Sequence, residues 1–295
     1  MSIPLAALEE ITGASGVAPR AGALLPVGVR HRQLRIRTLL AGMMLSQAGQ
    51  RPAHLTRVRG ALLALPGPDQ VRLGVPGDWE AGPHLLTCRQ TERTFGLVTG
   101  ALAKDHPDGL PSATLTAICN DLLEASIPGQ YKQASSSLAV DWTDVETFSR
   151  PPAHGTSDCA GPEASWGHRS GGGPGQDSEL FSGSCASAGT MMREEHGPPV
   201  PELARRMTVC SCHADPARAL VPVLTRMPED GIPLGDILAD SGYAHRDAEA
   251  WAIPLHRAGA QLVQDLHPSA AAPRALTTAP SSPADACTAR LRPAR

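Results

Sequence analysis

The sequence predicts an α/β protein: a mixed sheet with flanking helices, preceded by a small all-α region and followed by a patternless tail. Three observations predict it. Two short apolar runs, Leu138-Ala-Val140 and Ile237-Leu-Ala239, each stop at an aspartate, Asp141 and Asp240. That is the form of a buried parallel strand delivering a polar group at its carboxyl end. Between residues 31 and 130, apolar residues recur at helical spacing with basic residues off that face. After His267 the chain is mostly Ala, Pro, Thr, Ser and Arg with no period of either kind, a composition that cannot offset the entropy of ordering.

Bulk properties narrow the class. The 295 residues leave room for one large or two modest domains. A net charge of -3 means that any contact with nucleic acid must come from local clusters. Aromatic residues make up only 3% while Gly (29) and Pro (28) are plentiful, which predicts long loops. Seven cysteines, an odd count without regular spacing, fit a reducing cytosol better than a disulfide framework. The start Met1-Ser-Ile-Pro-Leu lacks the basic and apolar regions of a signal peptide, and no apolar run approaches membrane-spanning length. The expectation is a soluble cytoplasmic chain with no membrane partner.

Taken in order, residues 1–30 read as a leader, a short apolar helix and then a Gly/Ala/Pro-rich linker. The basic cluster Arg30-His-Arg-Gln-Leu-Arg-Ile-Arg37 runs into an apolar helix over Thr38–Ser46. A second basic piece with Arg51, His54, Arg57 and Arg59 precedes Ala61–Leu65, and further helices are expected at Thr91–Ala103 and Ser112–Leu123. An all-α unit with one basic side is a common shape for a DNA-end reader, with Arg35, Arg37, Arg51, Arg57 and Arg59 as candidate contacts. A solvated charged face on an ordinary helical unit gives the same pattern.

A second domain is expected over 135–268. Its first strand is Leu138–Thr143, followed by a long polar loop from Phe148 to Ser178 that carries Trp166-Gly-His-Arg169 and a glycine run. Loops of this length are usually functional or unstructured. Glu179–Thr190 is a second strand despite the poor strand sequence Ser182-Gly-Ser-Cys-Ala-Ser187, and Met207–Cys212 is a third. Asp215 and Pro216 start a helix running to Met227. The Asp240 strand, a helix from His245 to Arg257 and a fifth strand at Ala260–Gln264 complete the domain. The order β-β-β-α-β-α-β, with acids ending strands one and four, describes an RNase H-like mixed sheet. Residues 269–295 form the tail.

Two strand-end carboxylates suit a hard divalent ion, Mg²⁺ or Mn²⁺, and phosphoryl chemistry. Asp141 and Asp240 are therefore the candidate catalytic residues and metal ligands, while for Asp240 a helix cap is the plain alternative. Asp144 is expected to face solvent. His168 and Arg169 could set a cation on a phosphate, or their segment could be a loop held by a packed indole. Cys210-Ser-Cys212-His213 offers at most three zinc ligands, with no second pair at zinc spacing; on a strand the two cysteines share a face and act as small apolar residues.

Leu138-Ala-Val-Asp141-Trp-Thr143 and Asp236-Ile-Leu-Ala-Asp240-Ser-Gly-Tyr243 resemble the first and second aspartate motifs of IS4-like DDE transposases. Pro162-Glu-Ala-Ser-Trp-Gly-His-Arg169 is similar to the polar segment between them, and the resemblance spans about residues 30 to 268. It implies an RNase H-like catalytic domain behind a helical domain that binds DNA at the terminal inverted repeats of an insertion element. It further implies Mg²⁺-dependent strand cleavage and transfer on nucleoid DNA, and leaves room for a homodimer on that DNA. The family's third acid, a glutamate on a later helix, has no counterpart: Asp247, Glu249, Asp265 and Asp285 lack its setting. Two functions follow as expectations, a catalytically impaired transposase or a DNA-binding remnant that competes with an intact one.

Overall fold

The computed structural model describes residues 4–25, 34–49, 54–77, 86–102, 112–147, 164–169 and 179–265. The glycine run of the long polar loop, Arg51, Asp285 and the tail from residue 269 lie outside them.

Helices come first: α1 (Leu5–Ala14), α2 (Val17–Ala23), α3 (Ile36–Ala48), α4 (Leu55–Leu63), α5 (Gly67–Leu73), α6 (Cys88–Leu102) and α7 (Ala113–Ser126). They bury two apolar clusters, one around Leu34, Leu39, Val58, Leu62 and Leu73, the other around Val17, Ala21, Ile36, Val98 and Ile118. Gly42 on α3 is what fits against α4, since a Cβ there would stand 2.8 Å from the Leu62 side chain. The expected linker contains α2, whose Val17 and Ala21 are core residues. Helix α7 starts where its cap predicts: the Ser112 hydroxyl accepts from the Leu115 N–H at 3.1 Å.

The sheet comprises β1 (Leu138–Glu146), β2 (Ser165–Arg169), β3 (Glu179–Met191), β4 (Ala204–Ser211), β5 (Asp236–Ala239) and β6 (Gln261–Gln264). Across it the order is β4, β3, β1, β5, β6, and β2 shares with β4 the edge of β3 away from β1. Pairs among β1 to β4 are antiparallel, while β1–β5 and β5–β6 are parallel. Helix α8 (Pro216–Thr225), capped by Asp215 through the Ala217 N–H, and helix α9 (Ala252–Arg257) link the later strands. Leu220, Leu224 and Leu255 from these helices pack with Leu138, Val140, Met191 and Ile237 into one core on one face of the sheet.

Two expectations, for the polar loop and for the helix after His245, need correction. The polar loop contains β2, which pairs with residues 179–183 of β3. The second strand, weak in its sequence, forms over the expected residues and is the longest among the described residues, 13 residues, because neighbours pair with it on both edges and Ser187 and Gly189 sit buried beneath α8. Strand propensity measures fit to neighbours more than backbone preference, so small residues here suit a crowded face. The helix expected from His245 is confined to α9. Residues 241–243 form a 3₁₀ turn and 244–251 a series of turns that place both Tyr243 and Trp251 in the core. Burial of two large rings outweighs the helical period.

The helical part and the sheet are joined through α7 and β4. The Asn120 side chain donates to the Met207 carbonyl at 2.8 Å and accepts from the Met207 N–H at 2.8 Å. Beside it, Glu124 pairs with two almost wholly buried cations, Arg205 at 3.2 Å and Arg206 at 3.3 Å, and Asp230 takes the far side of Arg206 at 3.4 Å. Burial lowers the Arg206 pKa, and the two carboxylates oppose that shift.

Candidate active site

Strands β1 and β5 run side by side and parallel, with Val140 opposite Ala239. The next residue on each is the aspartate, so Asp141 and Asp240 lie at the same level; Asp240 follows the end of β5, but Asp141 does not end its strand as expected, because pairing with β3 carries β1 on to Glu146. Carboxyl ends of parallel strands are where α/β sheets place ligands. Both aspartates are exposed. Asp141 Oδ1 accepts from the Trp142 N–H at 2.7 Å, and Asp240 Oδ1 from the Gly242 N–H at 2.9 Å. Asp240 thus caps the short 3₁₀ turn in place of the expected helix. A Cβ at position 242 would stand 3.0 Å from both Asp240 Oδ1 and the Trp142 ring, so a larger residue there would press on both side chains.

Behind the pair lies an aromatic ladder that sequence reasoning missed. Trp142 meets the edge of Tyr243 at 4.9 Å between centroids, and Tyr243 stacks against Trp251 at 4.8 Å. The Arg246 guanidinium lies 5.2 Å from the Trp142 ring centre and pairs with Asp215 at 3.0 Å. Tyr243 is 1% exposed, and its hydroxyl has no hydrogen-bond partner among the described residues. Burial, then the charges of Asp141 and Asp240, raise its pKa, and Arg246 opposes them only in part. The phenol stays a protonated donor. A signal was available: in a chain with 3% aromatics, Trp142 directly follows one aspartate and Tyr243 closes the turn after the other.

A cleft of about 370 Å³ adjoins this ladder, lined by Trp142, Arg246, His168, His213, Asp144 and Asp215 among others. Asp144 is half-buried rather than solvent-facing, because Arg169 Nε reaches it at 3.2 Å. Arg169 also pairs with Glu179 at 3.5 Å and lies over Phe181, so its charge is committed within the sheet. His168 is exposed on β2. A larger cavity of about 520 Å³, lined by Arg218 and Pro222 of α8, by Arg226 just past its end and by residues of α7, contains neither aspartate.

Cys210 lies on β4 as expected, whereas Cys212 falls in the turn just past its end. Cys185, Cys210 and Ala219 form a small cluster against which Cys212 packs, with Cys185 and Cys212 sulfurs 3.8 Å apart. Burial pushes the Cys210 thiol up to about 11 and the Cys212 thiol up to about 12, so both are protonated near neutrality. Among the described residues, no group of three or more His, Cys, Asp or Glu side chains could hold a metal ion.

The candidate DNA contacts of the helical part are mixed. Arg35 and Arg37 are exposed at the start of α3, although Arg37 also donates to the Arg72 carbonyl at 2.9 Å. Arg57 and Arg59 on α4 are partly buried, and Arg59 Nε donates to the Leu86 carbonyl. Arg51 lies outside the described residues. No helix among the described residues is long and apolar enough to cross a membrane. In comparisons with known proteins, no family model, no curated protein and no solved structure matches this chain.

Proposed function

We propose that this chain is a DDE-type, transposase-like protein with an RNase H-like sheet that cleaves and transfers DNA strands at the ends of an insertion element. In this reading its chemistry is weakened by the want of a third acid. The observation that carries the reading is the placement of Asp141, within β1, level with Asp240, which follows the end of the parallel neighbour β5. The antiparallel β1, β3 and β4, followed by β5 and β6 parallel to β1, support the same reading.

Two exposed carboxylates fit one Mg²⁺ or Mn²⁺ ion, which is commonly held by one or two protein carboxylates with water and phosphate oxygens completing the shell. They do not fit a three-acid, two-ion cluster, because no third donor joins them among the described residues. A bound divalent ion supplies a Lewis acid that polarises a scissile phosphate. Asp141 and Asp240 hold and orient it, each fixed through Oδ1 by a backbone N–H. Arg35, Arg37, Arg57 and Arg59 carry the DNA ends, and a homodimer on the DNA is part of the same proposal.

The test is nicking of a supercoiled plasmid carrying the genomic sequence that flanks this gene, with Mg²⁺ or Mn²⁺, by the wild-type chain and by Asp240→Asn. Nicking lost in the variant supports the enzyme. The missing third donor favours a second reading, a non-catalytic remnant that still binds terminal repeats. Gel shift of the same DNA without nicking establishes that reading, and neither activity in a folded protein removes both.

A further inference from the structure

The cavity of about 520 Å³ lies where the helical part meets the sheet, with α7 along one side, α8 along another, and Arg20 of α2 and Arg206 of β4 also in its lining. Small-molecule sites commonly measure about 300–1,000 Å³ and favour such junctions. Much of the lining is apolar: Ala113 and Ala117 of α7, Ala219, Val221 and Pro222 of α8, and Ala250. An apolar space with a few converging charges is the usual form of a site that holds and orients a small ligand.

Countercharge is divided unevenly around it. Arg20 is matched by Asp121. Glu124, by contrast, serves both Arg205 at 3.2 Å and Arg206 at 3.3 Å, and Asp230 serves both Arg206 and Arg226 at 3.4 Å. Among the described residues, then, Arg205, Arg206 and Arg226 share two carboxylates. The Arg206 side chain is 4% exposed, neither of its acids is its own, and its contact with Asp230 is long for a charge-assisted bond. A buried cation short of countercharge is costly. Arg206, Arg226 and Asp230 all line the cavity, so the shortfall opens onto a space large enough for a ligand. The other lining charges, Arg218 and Glu249, are both exposed, form no ion pair among the described residues and offset each other in sign. We infer that the cavity binds a small organic monoanion, a carboxylate or sulfonate carried on an apolar body. The body lies against the alanine, valine and proline side chains, and the anionic group meets Arg206 and Arg226 as their third countercharge. The site is separate from Asp141 and Asp240 and stands whether or not those residues hold a metal.

The experiment is a fluorescence titration of the full chain with anilinonaphthalene sulfonate, a monoanion on an apolar body, beside phenylnaphthylamine, which has the same rings and no charge. Wild type, Arg226→Gln and Ala117→Trp are compared, each with a thermal melt. Arg226→Gln removes one of the three cations and leaves Asp230 to Arg206 alone, and the Arg226 side chain is 63% exposed, so the fold does not depend on it. It is expected to weaken the sulfonate about five-fold and to leave the neutral amine within about two-fold, since only the charged ligand loses a partner. Ala117→Trp sets an indole into the cavity from α7 and is expected to abolish saturable binding of both dyes. Unchanged sulfonate affinity in Arg226→Gln, or an equal loss of both dyes there, overturns the inference whatever Ala117→Trp does. Sulfonate binding that survives in a folded Ala117→Trp overturns it by placing the dye elsewhere, and so does the absence of saturable binding to wild type.

Discussion

The two faces of the sheet are built for different ends. On one, Leu138, Val140, Met191 and Ile237 meet Leu220, Leu224 and Leu255 of α8 and α9, each less than 5% exposed. On the other, Asp141 and Thr143 alternate with Ala139 and Val145, and across the register lie Ala186, Ala188, Val209 and Val263. Val145, Val209 and Val263 are 47%, 44% and 53% exposed. The covered face supplies the burial that holds the sheet together, while the open face carries a carboxylate with little packed on it. Stability and candidate chemistry thus reside on opposite sides of the same strands, and Asp141 can change without a cavity forming behind it.

Substitutions can break or sharpen that contrast. The largest effect is expected from Leu220→Ala, which opens a cavity on the covered face and costs about 3–5 kcal/mol in urea unfolding. Glu124→Gln comes next, at roughly 3 kcal/mol, because it leaves the buried Arg205 and Arg206 short of a countercharge while Asp230 still serves one of them. A loss below about 1 kcal/mol there would show that water reaches the arginines and that the edge is less closed than the face.

A smaller effect should appear in alkali. Cys210 and Cys212 are raised above their ordinary 9.0 to about 11 and about 12, so the folded chain binds more protons than the unfolded chain in that range. Stability from these thiols is complete below pH 9 and is lost as pH rises through their folded values. Chemical unfolding measured between pH 8 and 11 should show the decline, and Cys212→Ser should flatten it. The smallest change is expected from Val209→Thr on the open face, within about 0.5 kcal/mol. A loss there comparable to that of Leu220→Ala would break the contrast, since it would mean the open face is covered in solution.

Much of this is legible in the sequence. Apolar runs ending at Asp141 and Asp240 announce parallel strands because burial on both sides selects continuous apolar residues, and α8 begins at Asp215-Pro216 as its cap predicts. Register was not readable. Nothing local says that Val140 faces Ala239, and a shift of one residue would separate the aspartates. Strand β3 was hard to read because Ser, Gly and Ala become strand residues only when both edges are paired. The stretch after His245 misled in the other direction: Trp251, Ala252 and Leu255 fall at helical spacing, yet Tyr243 and Trp251 had to enter the same core. The ladder of Trp142, Tyr243, Trp251 and Arg246 was legible only as scarcity, a few aromatics gathered near two acids.

Asn120 gives the helical part a stake in the sheet's solubility. With one donor and one acceptor on Met207, its amide imitates a residue of a neighbouring strand at the rim of the sheet. An unpaired rim is a template for another chain. A fragment cut after α7 would therefore carry a β4 with its backbone bare and should self-associate, whereas the chain with α7 in place ends its own sheet with a single side chain.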